Sequence, residues 1–318
     1  MTTTQKNTHI VFMGTPAFAR TILAALFATP ICIDAVYAQP DRPQGRGQKM
    51  ASPPVAVFAK ENNIPLFQPE RVNDESVLNH IEQLNPHFLV VAAYGKMLPE
   101  CLLQIPQHES LNVHASLLPK YRGAAPINYA LIKGEEETGV SIMRVVKKMD
   151  AGPVFHSEAI KILPEDTSIT LTEKLAEKGA QAIISSIQDI VNNKPTPTDQ
   201  DESLVTYAPK MTRELSPIDW TCSAQDIFNQ IRALVPWPMA TTTLNNTNLK
   251  IFTSKILDTQ SQGKPGQLKH IGNNGLTIQT GQGELLLTEV QMHGKKRMPA
   301  FDLANGLRLK ADSVILGT

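Results

Sequence analysis

Residues 111–126, LNVHASLLPKYRGAAP, gather an amide, an imidazole, a hydroxyl and a glycine among short apolar stretches. Residues two apart on a strand project to the same side, so Asn112 and His114 share a face if this run is extended. A third polar group, Asp150, stands in Lys148-Met-Asp-Ala-Gly-Pro153, a Gly/Pro loop that follows an apolar run. These types suit acyl transfer to an amine. An amide N–H can stabilise the oxyanion that forms at a carbonyl, and an imidazole can give or take a proton near neutral pH. A carboxylate can orient that imidazole, stabilise its charged form, or accept the amine's proton. Ser116 has no G-x-S-x-G context, so direct attack by the acceptor is simpler than a covalent enzyme intermediate. A strand-end His or an Asp before a turn is, taken singly, more often structural. The pairing of N-x-H with S-L-L-P-x-x-x-G is what singles the segment out.

The elements that must hold these residues follow from apolar periodicity. Residues 9–14 (HIVFMG) read as a strand; Thr15 reads as an N-cap and Pro16 as the first position of a helix running to Phe27. Strands are expected at 33–38, 65–67, 88–93, 110–114 and 140–146, and helices at 55–60, 76–84, 126–133 and 170–191. The run FLVVAA at 88–93 has the continuous apolarity of a strand covered on both faces of a parallel sheet. The alternation predicts an α/β domain over 1–191, doubly wound with a mostly parallel sheet, and such sheets place their sites at strand C-terminal ends. Residues 192–209 are polar and Pro-broken, as in a linker. Residues 210–318 carry short strands at 241–243, 249–253, 275–280, 284–290 and 314–316 after a helix at 224–234. That pattern predicts a C-terminal OB-like β-barrel.

Several function classes are disfavoured. Gly14 is followed by Thr-Pro-Ala-Phe rather than by the glycines of a dinucleotide fingerprint, and no Walker A sequence occurs. No apolar run approaches the ~18 residues needed to cross a bilayer. Residues 1–8 carry no targeting pattern, which leads to an expectation of a cytoplasmic protein without membrane association. The three cysteines, Cys32, Cys101 and Cys222, have no C-x-x-C spacing, so neither a disulfide framework nor a metal site is expected, and they are read as buried thiols. The 30 basic and 30 acidic residues cancel, yet residues 210–318 hold 12 Lys/Arg against 8 Asp/Glu, compatible with a nucleic-acid surface. Nothing points beyond a monomer.

On these residues the chain resembles the 10-formyltetrahydrofolate-dependent formyltransferases, over essentially its whole length. Gly14-Thr-Pro16 with Phe18-Ala19 resembles the family's first turn. Asn112-Val-His114 with Ser116-Leu117-Leu118-Pro119 and Gly123 resembles its formyl-transfer loop, and Gly139-Val-Ser-Ile142 leading to Met149-Asp150-Ala-Gly152 resembles its signature ending in an Asp. The resemblance implies Asn112 for formyl-oxygen stabilisation, His114 for polarisation and proton handling, and Asp150 as the partner of His114. It implies that 10-formyltetrahydrofolate lies near Ala93-Tyr94-Gly95 and the Ser116–Gly123 loop, with no metal. It extends to the branch acting on initiator methionyl-tRNA through a basic Gly/Pro-rich loop at 39–49 containing Arg42, Arg46 and Lys49. Ile231-Arg-Ala-Leu-Val-Pro-Trp-Pro238 resembles the junction into a tRNA-binding barrel, where Lys264, Lys269, Lys295, Lys296 and Arg297 are candidates for phosphate contacts. Siblings that formylate an aminosugar nucleotide or hydrolyse formyltetrahydrofolate share the core and stay as the alternative. Ala17, Lys147 and Lys148 depart from the residue types usual in relatives.

Overall fold

The computed structural model describes residues 8–45 and 47–317, so Arg46 lies outside the described residues. In chain order the elements are β1 (His9–Gly14), α1 (Ala17–Phe27), β2 (Cys32–Tyr37), β3 (Arg42–Gln44), β4 (Lys49–Ala51), α2 (Pro54–Glu61), β5 (Leu66–Phe67) and α3 (Glu75–Leu84). There follow β6 (Phe88–Ala92), α4 (Glu100–Leu103), β7 (Glu109–His114), β8 (Arg122–Gly123), α5 (Pro126–Ile132), β9 (Glu137–Arg144), β10 (Val154–Lys161) and α6 (Ser168–Asn193). The remainder holds β11 (Tyr207–Ala208), α7 (Ala224–Leu234), β12 (Ala240–Leu244), β13 (Thr247–Asp258), β14 (Leu268–Gly272), β15 (Gly275–Gln279), β16 (Glu284–Met292), β17 (Met298–Pro299) and α8 (Ala300–Gly306).

The first compact unit contains the chain up to Gly123, Glu137–Lys161 and Thr172–Tyr207. Its sheet runs β10-β9-β7-β6-β1-β2-β5. The pairs β2–β5, β1–β2, β1–β6 and β6–β7 are parallel, whereas β7–β9 and β9–β10 are antiparallel. The sheet is therefore mostly parallel, as the alternation of elements predicts. Val11, Met13, Leu89 and Val91 bury one face with Ile81 of α3 and Leu102 of α4. Asn112 pairs with Val91 and so belongs to that face. Val113 points the other way, toward α6. A Cβ built on Gly179 of α6 would stand 2.7 Å from Val113 Cγ1, with Ile22 and Phe18 of α1 close behind. A glycine mid-helix costs about 1 kcal/mol in propensity; here it lets α6 settle onto β7. Gly179→Ala is expected to overpack this contact and lower the stability of the folded protein by about 1–3 kcal/mol, read as a lower urea midpoint with unchanged m-value.

Thr15 is not the N-cap of α1. Helix α1 begins at Ala17 with Pro16 as its cap residue, and Thr15 Oγ1 donates instead to Tyr94 O at 2.9 Å. The hydroxyl ties the first turn to the end of β6, a long-range partner that a local capping rule does not anticipate.

The second unit contains Ala124–Glu136, Ile162–Leu171 and the chain from Ala208 onward. Helix α5 belongs with the C-terminal unit rather than with the 1–191 block. It lies on α7, where Asn128 Nδ2 donates to Ala233 O at 2.7 Å, and its Tyr129 and Ile132 join the C-terminal core. An amphipathic helix records that it has a buried face, not which core covers it. The expected linker 192–209 also differs: it is hydrogen-bonded to the first unit, with Val154 N donating to Thr198 O at 2.8 Å and Thr198 N to Val154 O at 2.9 Å.

The C-terminal sheet is antiparallel along β12-β13-β16-β15-β14, with β17 on β16. Asn245 and Asn246, both at positive φ, make the two-residue turn from β12 to β13. Residues 312–317 then lie between the two end strands. Leu268 N donates to Val314 O at 3.0 Å, Leu316 N to Gly266 O at 2.8 Å, and Gly317 N to Thr243 O at 3.0 Å. This segment closes the strand path on itself, in keeping with the barrel anticipated from strand spacing.

Candidate active site

The site lies at the C-terminal end of β7 and beside two loops, 115–123 and 145–153. His114 is 6% exposed. Its Nε2 lies 3.0 Å from Tyr121 O, and because a carbonyl only accepts, Nε2 carries a proton. In the neutral ring Nδ1 is then an acceptor, and it faces Asp150 Oδ2 at 3.7 Å. The same carboxylate oxygen accepts from Gly123 N at 2.8 Å. The half-buried Asn112 makes no side-chain hydrogen bond to the described residues. The three polar groups picked out by type thus divide into His114 and Asp150, which face each other at 3.7 Å, and an amide on the face shared with Val91.

The route to Asp150 is not a parallel crossover. Strand β9 runs antiparallel to β7, with His114 opposite Ser141, and the loop after it returns the carboxylate to the imidazole. That return uses unusual backbone. Asp150 has φ 49°, a left-handed conformation costing an L-residue roughly 1–2 kcal/mol, though Asp tolerates it better than most. Gly152 is pressed against β9: a Cβ there would sit 1.9 Å from Arg144 O, so only glycine fits.

The loop 115–123 is built from inside. Ser116 is fully buried; its hydroxyl donates to Lys120 O at 2.6 Å, and its carbonyl accepts from Ser141 Oγ at 2.8 Å. Ser116 therefore shapes the loop, while Leu117, Leu118 and Pro119 are half-buried along it. Ala93 (φ 44°) and Gly95 (φ 86°) kink the chain directly after β6 and are exposed. Between them Tyr94 turns inward, 2% exposed, and burial pushes its phenol up to about 12. The carbonyl of Tyr94 is taken by Thr15 Oγ1 and by Gln39 Nε2 at 3.1 Å.

In the basic segment, β3 and β4 pair as a two-stranded ribbon, Arg42 opposite Ala51 and Gln44 opposite Lys49. It is rooted at Asp41, whose carboxylate accepts from Gln68 Nε2 and Ser52 Oγ, both at 2.7 Å. These bonds, Gln68 first, hold Asp41 below the usual carboxylate range. Arg42 and Lys49 are exposed on the ribbon. In the C-terminal unit Lys295, Lys296 and Arg297 are exposed together in the turn between β16 and β17, whereas Lys264 and Lys269 flank the start of β14, two strands away along the sheet. Arg297 is engaged, ion-paired with Glu289 and lying 4.4 Å over the Phe252 ring.

All three cysteines are exposed, not buried as their type suggested. Cys32 opens β2, and its Sγ donates to Asp34 Oδ1 at 3.3 Å; that oxygen also lies 2.9 Å from His9 Nδ1. This trio, with donor atoms within 4.8 Å of one another, is the metal-type cluster found among the described residues. It sits at the N-terminal ends of β1 and β2, away from His114 and Asp150.

Two residues with a structural hold on the site escaped the reading by type. Arg122 is 1% exposed. Its Nε and Nη2 donate to Gln200 Oε1 at 3.0 and 2.8 Å, and Nη2 also pairs with Glu202 at 2.9 Å. Lys148, one of the departures from family type, pairs with the other oxygen of Glu202 at 2.8 Å. Arg122 first, then Lys148, holds Glu202 down to about 2. Because the folded pKa is depressed, this contribution to stability is present above the ordinary value of 4.5 and fades as pH falls toward about 2. Glu202→Gln is therefore expected to melt below the parent protein at pH 6. The gap in Tm should close progressively below pH 4.5.

Asn112 and His114 thus share one face at the C-terminal end of β7, with the Asp150 carboxylate 3.7 Å from the imidazole, an arrangement compatible with group transfer. Residues 8–187 match the formyl transferase family, and residues 210–308 match the formyl transferase C-terminal domain. The chain belongs to the formyl transferase family. By sequence it is 42% identical to the methionyl-tRNA formyltransferase of Geobacter metallireducens over 301 residues, covering 95% of this chain and 96% of that one. It is 44% identical to that of Staphylococcus epidermidis over 94% of this chain and 96% of the relative, and 40% identical to that of Bacillus subtilis over 97% and 98%. Among solved structures, the sugar 3N-formyl transferase WlaRD, studied with dTDP and 5-N-formyl-THF, has a TM-score of 0.64 at 20% identity, over 91% of this chain and 99% of that one. HypX from Aquifex aeolicus in complex with tetrahydrofolic acid has a TM-score of 0.64 at 15% identity, over 95% of this chain and 48% of HypX. This chain thus spans about half of HypX, and at these identities the likeness is one of fold. Among the described residues no helix is long and apolar enough to cross a membrane.

Proposed function

We propose that this protein transfers the formyl group of 10-formyltetrahydrofolate to the free α-amine of methionyl-initiator-tRNA, in the cytoplasm. The observation that carries the reading is the pairing of His114 Nδ1 and Asp150 Oδ2, two proton acceptors 3.7 Å apart, beside an Asn112 amide with no partner among the described residues. It is joined by the methionyl-tRNA formyltransferase name of relatives at 40–44% identity across nearly the whole chain. An attacking amine brings protons that such acceptors can hold, and the amine must be neutral when it attacks. The N–C bond forms as the carbonyl becomes an oxyanion, to which Asn112 donates. Its collapse releases the folate nitrogen, which gains the proton that the amine loses. Asp150 and His114 handle that proton, and the reading uses no metal.

A folate-type donor is supported by the family itself and by the tetrahydrofolate in the HypX structure. We assign its subsite to the exposed kink at Ala93 and Gly95, with Tyr94 between them, and to the loop Leu117, Leu118, Pro119 and Gly123. Ser116 contributes through the shape of that loop. The tRNA surface is assigned to Arg42 and Lys49 of the ribbon, to Arg46, which lies outside the described residues, and to Lys264, Lys269, Lys295, Lys296 and Arg297 of the C-terminal unit.

Asp150→Asn and His114→Ala are each expected to lose most turnover while binding tRNA normally, and Asn112→Ala to fall about 10²–10³-fold in kcat. Near-parental rates in Asp150→Asn or His114→Ala sink the assignment. Labelled formylfolate with charged initiator tRNA separates this reading from the sugar-nucleotide and hydrolase alternatives, since only the first labels tRNA. If Lys295 and Lys296 contact phosphates, replacing both by Ala reduces the magnitude of the log K against log salt slope by about 1–2. An unchanged slope removes them from the interface.

A further inference from the structure

The segment from Thr198 to Thr206 meets both loops of the site. Thr206 O accepts from Arg122 N at 2.9 Å, and Thr206 Oγ1 accepts from Tyr121 N at 2.8 Å. The segment thereby holds the loop whose Tyr121 carbonyl accepts from His114 Nε2 and whose Gly123 N–H donates to Asp150. On the other side Gln200 Nε2 donates to Asp150 O at 2.9 Å and to Gly152 O at 2.7 Å. We propose that Gln200, oriented by the buried Arg122, is a positioning residue of the formyl transfer, locking the Asp150–Gly152 turn so that the Asp150 carboxylate faces His114. The inference rests on the catalytic reading of Asp150 given above.

The side chain's own chemistry makes this specific. A primary amide has two N–H donors and two carbonyl lone pairs, and Gln200 uses all four. Both protons go to turn carbonyls, and both lone pairs take N–H groups of one guanidinium. Flipping the amide would set its NH₂ against a cation and its oxygen against two carbonyls, so one orientation survives. Arg122 cannot drift, because it is buried and also held by Glu202. The turn needs such a hold, since Asp150 is left-handed and Gly152 has no room to adjust against β9.

Gln200→Glu tests this. The glutamate keeps its length and still accepts from Arg122, but turns an oxygen toward the carbonyls of Asp150 and Gly152. A misplacement near 1 Å costs on the order of 100-fold, so kcat is expected to fall about 100-fold, with KM for both substrates within about twofold and Tm near the parent's. Because the effect runs through Asp150, Gln200→Glu should cost less than about twofold more in an Asp150→Asn background. A merely structural role instead multiplies the two losses and lowers Tm together with kcat. Parental kcat in Gln200→Glu beside an inactive Asp150→Asn overturns the positioning role and leaves the catalytic assignment standing. Multiplicative losses overturn it too. An active Asp150→Asn overturns the catalytic assignment itself. If Gln200→Glu does not fold, Gln200→Asn, too short to reach the turn, carries the same readings.

Discussion

Gly123 N donates to a carboxylate oxygen that lies 27 residues further along the chain, and the same oxygen faces His114 Nδ1. One acceptor atom thus joins the loop after β7 to the loop after β9. If either loop shifts, the imidazole loses its partner and Gly123 loses its acceptor. Much of the nearby architecture serves to keep that atom in place: the buried Ser116 inside its loop, the glycine contact of Gly152 with β9, and the packing of α6 against the back of β7. Asn112 and His114 lie on the face of β7 shared with Val91, and the opposite face of the same strand is close-packed against α6.

The legible part of this molecule was the part whose meaning is local. Strand–helix alternation announced the mostly parallel sheet, and the N-x-H spacing put Asn112 and His114 two residues apart on β7. What escaped depends on partners distant in sequence. Thr15 looked like a helix cap because its neighbour is Pro16, but its hydroxyl goes to Tyr94, 79 residues away. Gln200 sits in a polar, Pro-broken stretch with no apolar period, and its partner Arg122 is 78 residues away. Strand β10 has only half-buried and exposed positions and carries His, Ser, Glu and Lys, so it left little hydrophobic signature. Cys32 is small and apolar by type yet exposed, because it stands at the first position of its strand.

Charge follows a similar division. The molecule is neutral overall, so a long-range field does not distinguish nucleic acid from other partners. What remains is local placement: lysines without ion-pair partners among the described residues at 264, 269, 295 and 296, against cations such as Arg144 and Arg297 that are occupied by Glu109 and Glu289. A count of basic residues does not separate these groups. The structure does, and Lys148 belongs with the occupied ones, since it completes the Glu202 pair.

The hydrogen bonds of residues 312–317 have a meaning for assembly as well as for shape. An open sheet offers its end strands to any extended chain that comes near. Here Thr243 at one end and Gly266 with Leu268 at the other are taken by a single segment of the same chain. The closing pieces come from positions roughly 45 to 75 residues apart, so the seal is a non-local contact that belongs late in folding. Until it forms, two strand edges stand exposed to foreign pairing. A chain interrupted before this stretch would retain nearly all of its apolar core and still lack protection against self-association.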